Sequence, residues 1–352
     1  MKTWKSWKPK INRADVERVL IACSAALVLL LAVQGGGQKT TDMYEEPFDQ
    51  IPVERTSVTM QAPTQPTIVY YKDGNGYLVP VEREIEKQDG IAKATLALMV
   101  KDAKNDMEAA RMGLLTVLPE GTKVDLDISG GHARVDLSAE VLNTADAEEE
   151  SRIVQAVVNT LTEYDTVKDV EFLVDGQKRS RLTHGTDVSG RMTRTHLNLE
   201  SETAAVSAFS KANQVQLYFP SESGRLLVPV TRTVYSDADV ETAIFEFLKG
   251  PTDDSGLEKP LPEETGLLGV TVKDGVATIN FTGEFLDIAK NSDGGVQAMR
   301  ALMLTCTQFP GVKKVEVLVD GEKYTMPLAS TPTFANIESE VVETFPEVMS
   351  VE

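Results

Sequence analysis

Hydrophobic and polar positions along this chain follow two rhythms, one of period two and one of helical period, and they occur twice in the same order. Thr67 to Lys72 is β-branched and aromatic and predicts a strand, Asp73-Gly74-Asn75-Gly76 predicts a tight turn, and Tyr77 to Ile85 predicts the returning strand. Ile91, Thr95, Leu98 and Met99 then fall at helical spacing. Lys123 to Ile128 and Ala133 to Leu137 read as a second hairpin across Gly130-Gly131. A helix follows with Ile153, Val154, Val157, Val158 and Leu161 on one face, and Val170 to Val174 closes the series as a strand.

The second series repeats this order. Gln214 to Phe219 and Arg225 to Val234 flank Ser221 to Gly224, and Ser236 with Asp239 predicts a capping box ahead of Val240, Ala243, Ile244, Phe247 and Leu248. Gly250-Pro251 stops that helix. Val270 to Lys273 and Val276 to Phe281 pair across Asp274-Gly275, Val296 to Phe309 is a helix, and Val315 to Val319 is the last strand. Identities support a duplication. Residues 167–178, VKDVEFLVDGQK, match 312–323, VKKVEVLVDGEK, at nine of twelve positions; 76–84, GYLVPVERE, match 225–233, RLLVPVTRT, at five of nine; Leu118-Pro119-Glu120 recurs as Leu261-Pro262-Glu263. The offsets of 145, 149 and 143 are those of a repeated domain, far longer than a solenoid period. The order ββα-ββ-αβ predicts an α+β fold, two tandem copies of a small sheet with helices on one face, each folding on its own.

Before the repeats, Val19 to Val33 is an uncharged apolar run preceded by Lys2, Lys5, Lys8, Lys10, Arg13 and Arg18. As a helix it spans roughly 22 Å against a hydrocarbon core of ~30 Å, and basic residues on one side only predict a cytoplasmic amino terminus. Residues 1–18 are therefore expected as a basic cytoplasmic head and 19–33 as a transmembrane or signal anchor, with the remainder held at the extracytoplasmic face of the membrane. Three fates stay open: an uncleaved anchor, cleavage near Val33-Gln34-Gly35, and lipidation of Cys23, whose Leu20-Ile21-Ala22-Cys23 context has the residue types of a lipidation box but precedes most of the apolar run. Residues 34–66, with Pro47, Pro52, Pro63 and Pro66, predict a flexible tether. Residues 67–181 and 213–328 are the two domains, 182–212 a linker with a short helical run at Ala204 to Phe209, and 329–352 a loosely packed acidic tail.

Charge narrows the function classes. The chain has 35 basic and 54 acidic residues, a formal net of −19, and because the basic head offsets part of this the body is more acidic still. Such a body repels phosphate backbones, so nucleic acid is not an expected partner. Two cysteines, Cys23 and Cys306, supply neither a disulfide framework nor a cysteine zinc cluster.

The Leu-Pro-Glu run, an apolar strand, a hairpin, a strand ending Asp/Asn-x-Ser/Thr-x-Glu, a helix and a closing Val-Lys-x-Val-x-x-Leu-Val-Asp-Gly together resemble the GerMN domain. They stand here at Leu118 to Glu120, Arg134 to Glu140 and Val167 to Gly176, and again at Leu261 to Glu263, Thr278 to Glu284 and Val312 to Gly321. The resemblance covers residues 67–328. It implies a sporulation and spore germination protein of endospore-forming bacteria, non-catalytic, placed in the envelope between mother cell and forespore. It also implies a fold similar to the ring-building modules of secretion systems, which pack into oligomers. Family members are typically lipoproteins, and Cys23 departs from that pattern by its place in the apolar run.

Residue chemistry agrees with a non-enzyme. Asp175-Gly176 and Asp320-Gly321 follow strands and read as turns. Glu140 and Glu284 recur without a second acid or histidine beside them, so capping is their expected role. Pro119, Glu120, Pro262 and Glu263 belong to the same structural set. His132, His184 and His196 show no ligand spacing, and no phosphate-binding or dinucleotide motif occurs, so neither metal nor cofactor is expected. Cys306 falls on an apolar helix face as a core thiol, and Glu148-Glu149-Glu150 reads as a solvated helix start. The expected function is an envelope scaffold that forms a homo-oligomer or joins a protein complex of the sporulation septum. The alternative is a protein that binds or modifies the peptidoglycan wall.

Overall fold

The computed structural model describes residues 62–200, 212–290, 292–325, 332 and 334–341. The expected head, anchor, Cys23, most of the tether and the Ala204 to Phe209 run lie outside these residues. Among the described residues no helix is long and apolar enough to cross a membrane.

In the first repeat, β1 (Thr64–Lys72) and β2 (Leu78–Glu86) form an antiparallel hairpin running from Thr64 opposite Glu86 to Lys72 opposite Leu78. Asp73 makes the turn, its carboxylate accepting from the Asn75 and Tyr77 amides at 3.0 and 2.8 Å. Then come α1 (Ile91–Ala97), α2 (Ala103–Arg111), β3 (Val124–Ser129), β4 (His132–Leu137), α3 (Ala147–Thr162), β5 (Asp169–Val174) and the short β6 (Gln177–Lys178). The second repeat gives β7 (Asn213–Pro220), β8 (Leu227–Val234), α4 (Val240–Lys249), β9 (Leu267–Lys273), β10 (Val276–Phe281), α5 (Ser292–Thr307), β11 (Lys314–Val319) and β12 (Glu322–Lys323). The last helical turn is α6 (Glu338–Val341). The four-stranded sheets run β3-β4-β5-β6 and β12-β11-β10-β9. β4 pairs parallel with β5 and β10 with β11, so each pair needs a crossover, which α3 and α5 supply.

Several expectations are corrected. Each repeat carries two sheets, because the hairpins β1-β2 and β7-β8 stand apart from the four-stranded sheets. The crossover helix lies between hairpin and sheet, touching β1 and β5 in the first repeat and β7 and β11 in the second. Ile153, Val154, Ala156, Val157, Val158, Asn159, Thr160 and Leu161 of α3 are accordingly all buried; a helix apolar around most of its circumference needs cover on two sides. Helix α2 has no counterpart in the second repeat, which explains why the repeat offset falls from 149 at the hairpins to 143 at Leu-Pro-Glu. The tether ends earlier than position 66, since Thr64 to Pro66 already pair in β1. The capping box is a single cap: the Asp239 carboxylate accepts from the Thr242 amide at 2.8 Å, while Ser236 meets the Thr242 hydroxyl instead.

The repeats also do not stand apart, because both belong to one compact body. The first part of the linker is built into it, with Leu182, Val188 and Leu197 buried and Met192 bridging to Val170 of β5. Glu150 anchors this segment. It is buried and accepts from the His184 and Thr186 amides at 2.8 and 2.9 Å, in contrast to the solvated role expected for it. Burial alone would raise its pKa, but these amide bonds, together with the Thr186 hydroxyl and the nearby His184, hold the carboxyl below the ordinary range. In the tail, residues 334–341 pack rather than trail, with Asn336 and Val341 buried.

Candidate functional site between the repeats

The recurrent residues of the sequence gather at one end of each four-stranded sheet, where β3 or β9 begins and β4, β5, β10 and β11 end. Pro119 offers its carbonyl to the Thr122 amide and hydroxyl at 3.2 and 2.7 Å, and Pro262 does the same for the Thr265 amide at 3.0 Å. Glu120 and Glu263 are exposed, the latter paired with Lys259 at 2.6 Å. Asp175-Gly176 and Asp320-Gly321 are two-residue turns in the left-handed region, with φ of 49° and 73° in the first and 49° and 87° in the second. The Gly176 amide donates to Asp136 at 2.9 Å and the Gly321 amide to Asn280 at 3.0 Å, and these equivalent partners are the Asp/Asn of the motif that ends β4 and β10. The Ser138 hydroxyl holds the Glu140 carboxyl below the ordinary range, and the Thr282 hydroxyl does so for Glu284. Both are therefore ionised at neutral pH, and neither is set up to donate a proton. The structure brings these residues together as turns and caps, without a converging acid and base.

A different set converges where the repeats meet, with β2 packed against β8. After each repeat the chain forms a short strap, Leu197-Asn198-Leu199-Glu200 after the first and Ala335-Asn336-Ile337-Glu338 after the second. Each strap runs parallel to the second strand of the opposite repeat, Leu199 beside Thr231 and Ile337 beside Glu82. Asn198 accepts from the Leu78 amide at 2.8 Å and donates to the carbonyls of Leu78 and, across the interface, Pro229 at 2.8 and 2.7 Å. Asn336 accepts from the Leu227 amide at 2.8 Å and donates to the carbonyls of Leu227 and, across the interface, Pro80, both at 2.9 Å. The strap backbones add Glu82 to Asn336 at 2.8 Å and Glu200 to Thr231 at 2.9 Å.

One arginine of each repeat completes the exchange. Arg83, 6% exposed, reaches Glu338 of the opposite strap and Glu108 of α2, both at 2.8 Å, and the Tyr71 hydroxyl at 2.7 Å. Arg232 holds Glu200 at 2.5 and 2.9 Å, the Glu246 carboxylate at 3.3 Å and the Gly250 carbonyl at 2.9 Å. Buried guanidinium groups are tolerated where carboxylates and other acceptors replace their hydration; the Arg232 set does this, while in the Arg83 set the Nε has no partner among the described residues. Two signals in the sequence point to this site: the four-residue pattern Leu/Ala-Asn-Leu/Ile-Glu follows each copy, and the shared Leu-Val-Pro-Val-x-Arg strands carry both arginines.

Polar groups continue along the same interface. The Tyr70 hydroxyl donates to Glu163 at 2.6 Å and Arg194 reaches both, at 2.9 and 2.5 Å. Tyr218, the equivalent of Tyr70, lies beside them, and a cavity of about 160 Å³ between Tyr70, Pro80, Arg194, Tyr218 and Asn336 is small and lined by polar and apolar side chains alike. A larger cleft of about 600 Å³ exists in the first repeat, walled by Lys72, Lys101, Asp106, Glu120 and Glu149. Lys72 meets Glu149 at 3.4 Å and Thr116 donates to Asp106 at 2.7 Å, so part of its polar lining is internally satisfied.

Comparison with known proteins fits this architecture. The profile of the Germane family, described as sporulation and spore germination, matches residues 68–180 and 216–325. The chain is 30% identical over 263 residues to spore germination protein GerM of Bacillus subtilis (strain 168), covering 72% of this chain and 71% of that protein. The solved tandem GerMN domains of the sporulation protein GerM from Bacillus subtilis superpose with a TM-score of 0.66 at 28% identity, over 78% of this chain and 99% of that one.

Proposed function

Because the chain belongs to the Germane family and carries two copies of its domain in tandem, we propose that this sporulation and germination protein is a non-catalytic envelope scaffold. The observation that carries the reading is the reciprocal strap. Two repeats tied by Asn198, Asn336, Arg83 and Arg232 make one stiff body with two sets of outward faces, which suits a module that holds partners at fixed spacing. In this reading residues 19–33 anchor it in a membrane, the body faces the extracytoplasmic side between mother cell and forespore, and it acts as a homo-oligomer or within a septal protein complex. The recurrent acids serve turns and caps, and the body's negative charge turns away nucleic acid.

Photo-crosslinking in sporulating cells tests the reading. Capture of a defined envelope protein or of the chain itself, together with recovery of the full-length protein in the membrane fraction, is expected; recovery in the cytosol with no captured protein overturns it.

A wall-binding reading has one observation in its favour, the cleft in the first repeat, where Lys101 could meet a carboxylate of a wall peptide. Co-sedimentation with purified sacculi that Lys101→Glu abolishes would move the assignment to it.

A further inference from the structure

β3 and β9 are the outer strands of their sheets, and no backbone group among the described residues pairs with the outward side of either. An open edge is a template for another strand, and proteins guard it with charge. β3 is guarded: exposed Asp125 and Asp127 pair with Lys93 at 2.8 Å and Arg134 at 3.4 Å. In the matching register of β9 the guard is gone. Thr271 opposite Thr278 stands where Asp127 opposite Arg134 stands in the first repeat, and Gly269 opposite Asn280 where Asp125 stands opposite Asp136. Leu268 and Val272 are left 54% and 51% exposed.

Backbone geometry says which groups face outward. Asp274 and Gly275, with φ of 50° and 81°, form a two-residue turn, so the flanking Lys273 and Val276 are a hydrogen-bonded pair. The alternation of an antiparallel ladder then turns Thr271 toward β10 as well and leaves the amides and carbonyls of Val270 and Val272 pointing out.

We propose that β9 pairs antiparallel with β9 of a second copy of this chain, Thr271 facing Thr271 across a twofold axis, joining two four-stranded sheets into one. Val270 of each copy then exchanges backbone bonds with Val272 of the other, and Lys273 falls opposite Gly269, so no like charges meet. The register shift at Leu268 ends the pairing there. A second copy is the occupant because of charge. A chain of net −19 repels itself over most of its surface, whereas Leu267 to Lys273 holds no carboxylate. The same register on β3 would set Asp127 against Asp127, which is unfavourable for directly opposed side chains. Five paired residues make a weak contact, which concentration on a membrane would strengthen. The use of this contact, though not its geometry, rests on the scaffold reading.

Thr271 sits at a pair without backbone bonds, where side chains approach closely, so a disulfide reports it. In full-length Cys23→Ser protein, where buried Cys306 is the remaining thiol, Thr271→Cys should form a disulfide-linked homodimer in membranes under mild oxidation. Its yield should be several-fold that of Asp127→Cys, and Val272→Lys added to it should abolish the link while thermal unfolding stays unchanged. Equal yields at the two positions, no homodimer, or a link only to a different protein overturns the proposal. Loss of the homodimer in Thr271→Asp with normal sporulation would remove the scaffold use while leaving the contact established.

Discussion

Asn198 and Asn336 lie 138 positions apart and make the same three hydrogen bonds with the roles of the repeats exchanged. Each clasps both backbone groups of a leucine in the repeat it follows, and each reaches over to a proline carbonyl in the other. A covalent tandem has thereby acquired the self-complementary interface of a twofold dimer, in which every contact occurs twice. The proline at each site fits: it has no amide to satisfy, and its carbonyl turns outward to a strap rather than to a strand.

Removing these clasps should weaken the body as a whole. Asn336→Ala strips partners from a buried amide and two carbonyls and is expected to cost about 1–3 kcal/mol. Asn198→Ala should cost a comparable amount, part of it because Asn198 sits at φ 51°, which alanine adopts poorly. Urea unfolding of the parent should show one transition, and the Asn198→Ala/Asn336→Ala double variant should show two. A single unbroken transition in the double variant would show that the straps do not couple the repeats.

Arg232→Leu should be more damaging than either asparagine change. It leaves Glu200, 11% exposed, without its counter-charge and Glu246, 13% exposed, with Lys249 alone, and breaking a buried pair from one side costs about 3–5 kcal/mol. Arg232→Leu combined with Glu200→Leu should recover part of that loss. Thermal melts of the single and double variants check the order.

Stability should fall in acid through Glu150. Its folded pKa lies below the unfolded value of about 4.3, so its contribution is complete above that value and is lost as pH drops through the folded pKa. Glu150→Gln should flatten this part of the stability profile. Hydrogen exchange at the His184 and Thr186 amides should speed up in the variant at neutral pH, and unchanged exchange there would remove Glu150 as the anchor of the linker.

Glu140→Gln with Glu284→Gln should leave sporulation intact, since each carboxylate serves a hydroxyl at the start of a short helical turn. A folded double variant with no sporulation would reopen a ligand or catalytic role for these acids.

Fragments ending at residue 183 or 330 each lack their strap. Residues 66–183 lose Asn198 and 212–330 lose Asn336, so each exposes the Leu78 or Leu227 backbone that the strap covers. Both should melt well below the tandem, whereas fragments that melt as high as the parent would show that each repeat is stable without its strap.

The sequence by itself determined the duplication, the order of the main strands and helices apart from α2 and the short β6 and β12, the Asp-Gly turns and the α+β class, because these depend on local periodicity and on residues that are neighbours along the chain. It also carried the family, through Leu-Pro-Glu, the acid after β4 and the closing Leu-Val-Asp-Gly. The separation of each repeat into hairpin, helix and sheet was decided by tertiary structure, since the pattern of α3 shows that it is apolar without showing what covers each side. Segments 197–200 and 334–338 looked like linker and tail because they are short and have no periodicity. Their order comes from partners more than a hundred positions distant, such as Leu78 for Asn198 and Leu227 for Asn336. The buried Glu150 looked like a solvated acid for the same reason: local sequence sets which groups a residue can offer, and only the folded chain decides which distant amides arrive to meet them.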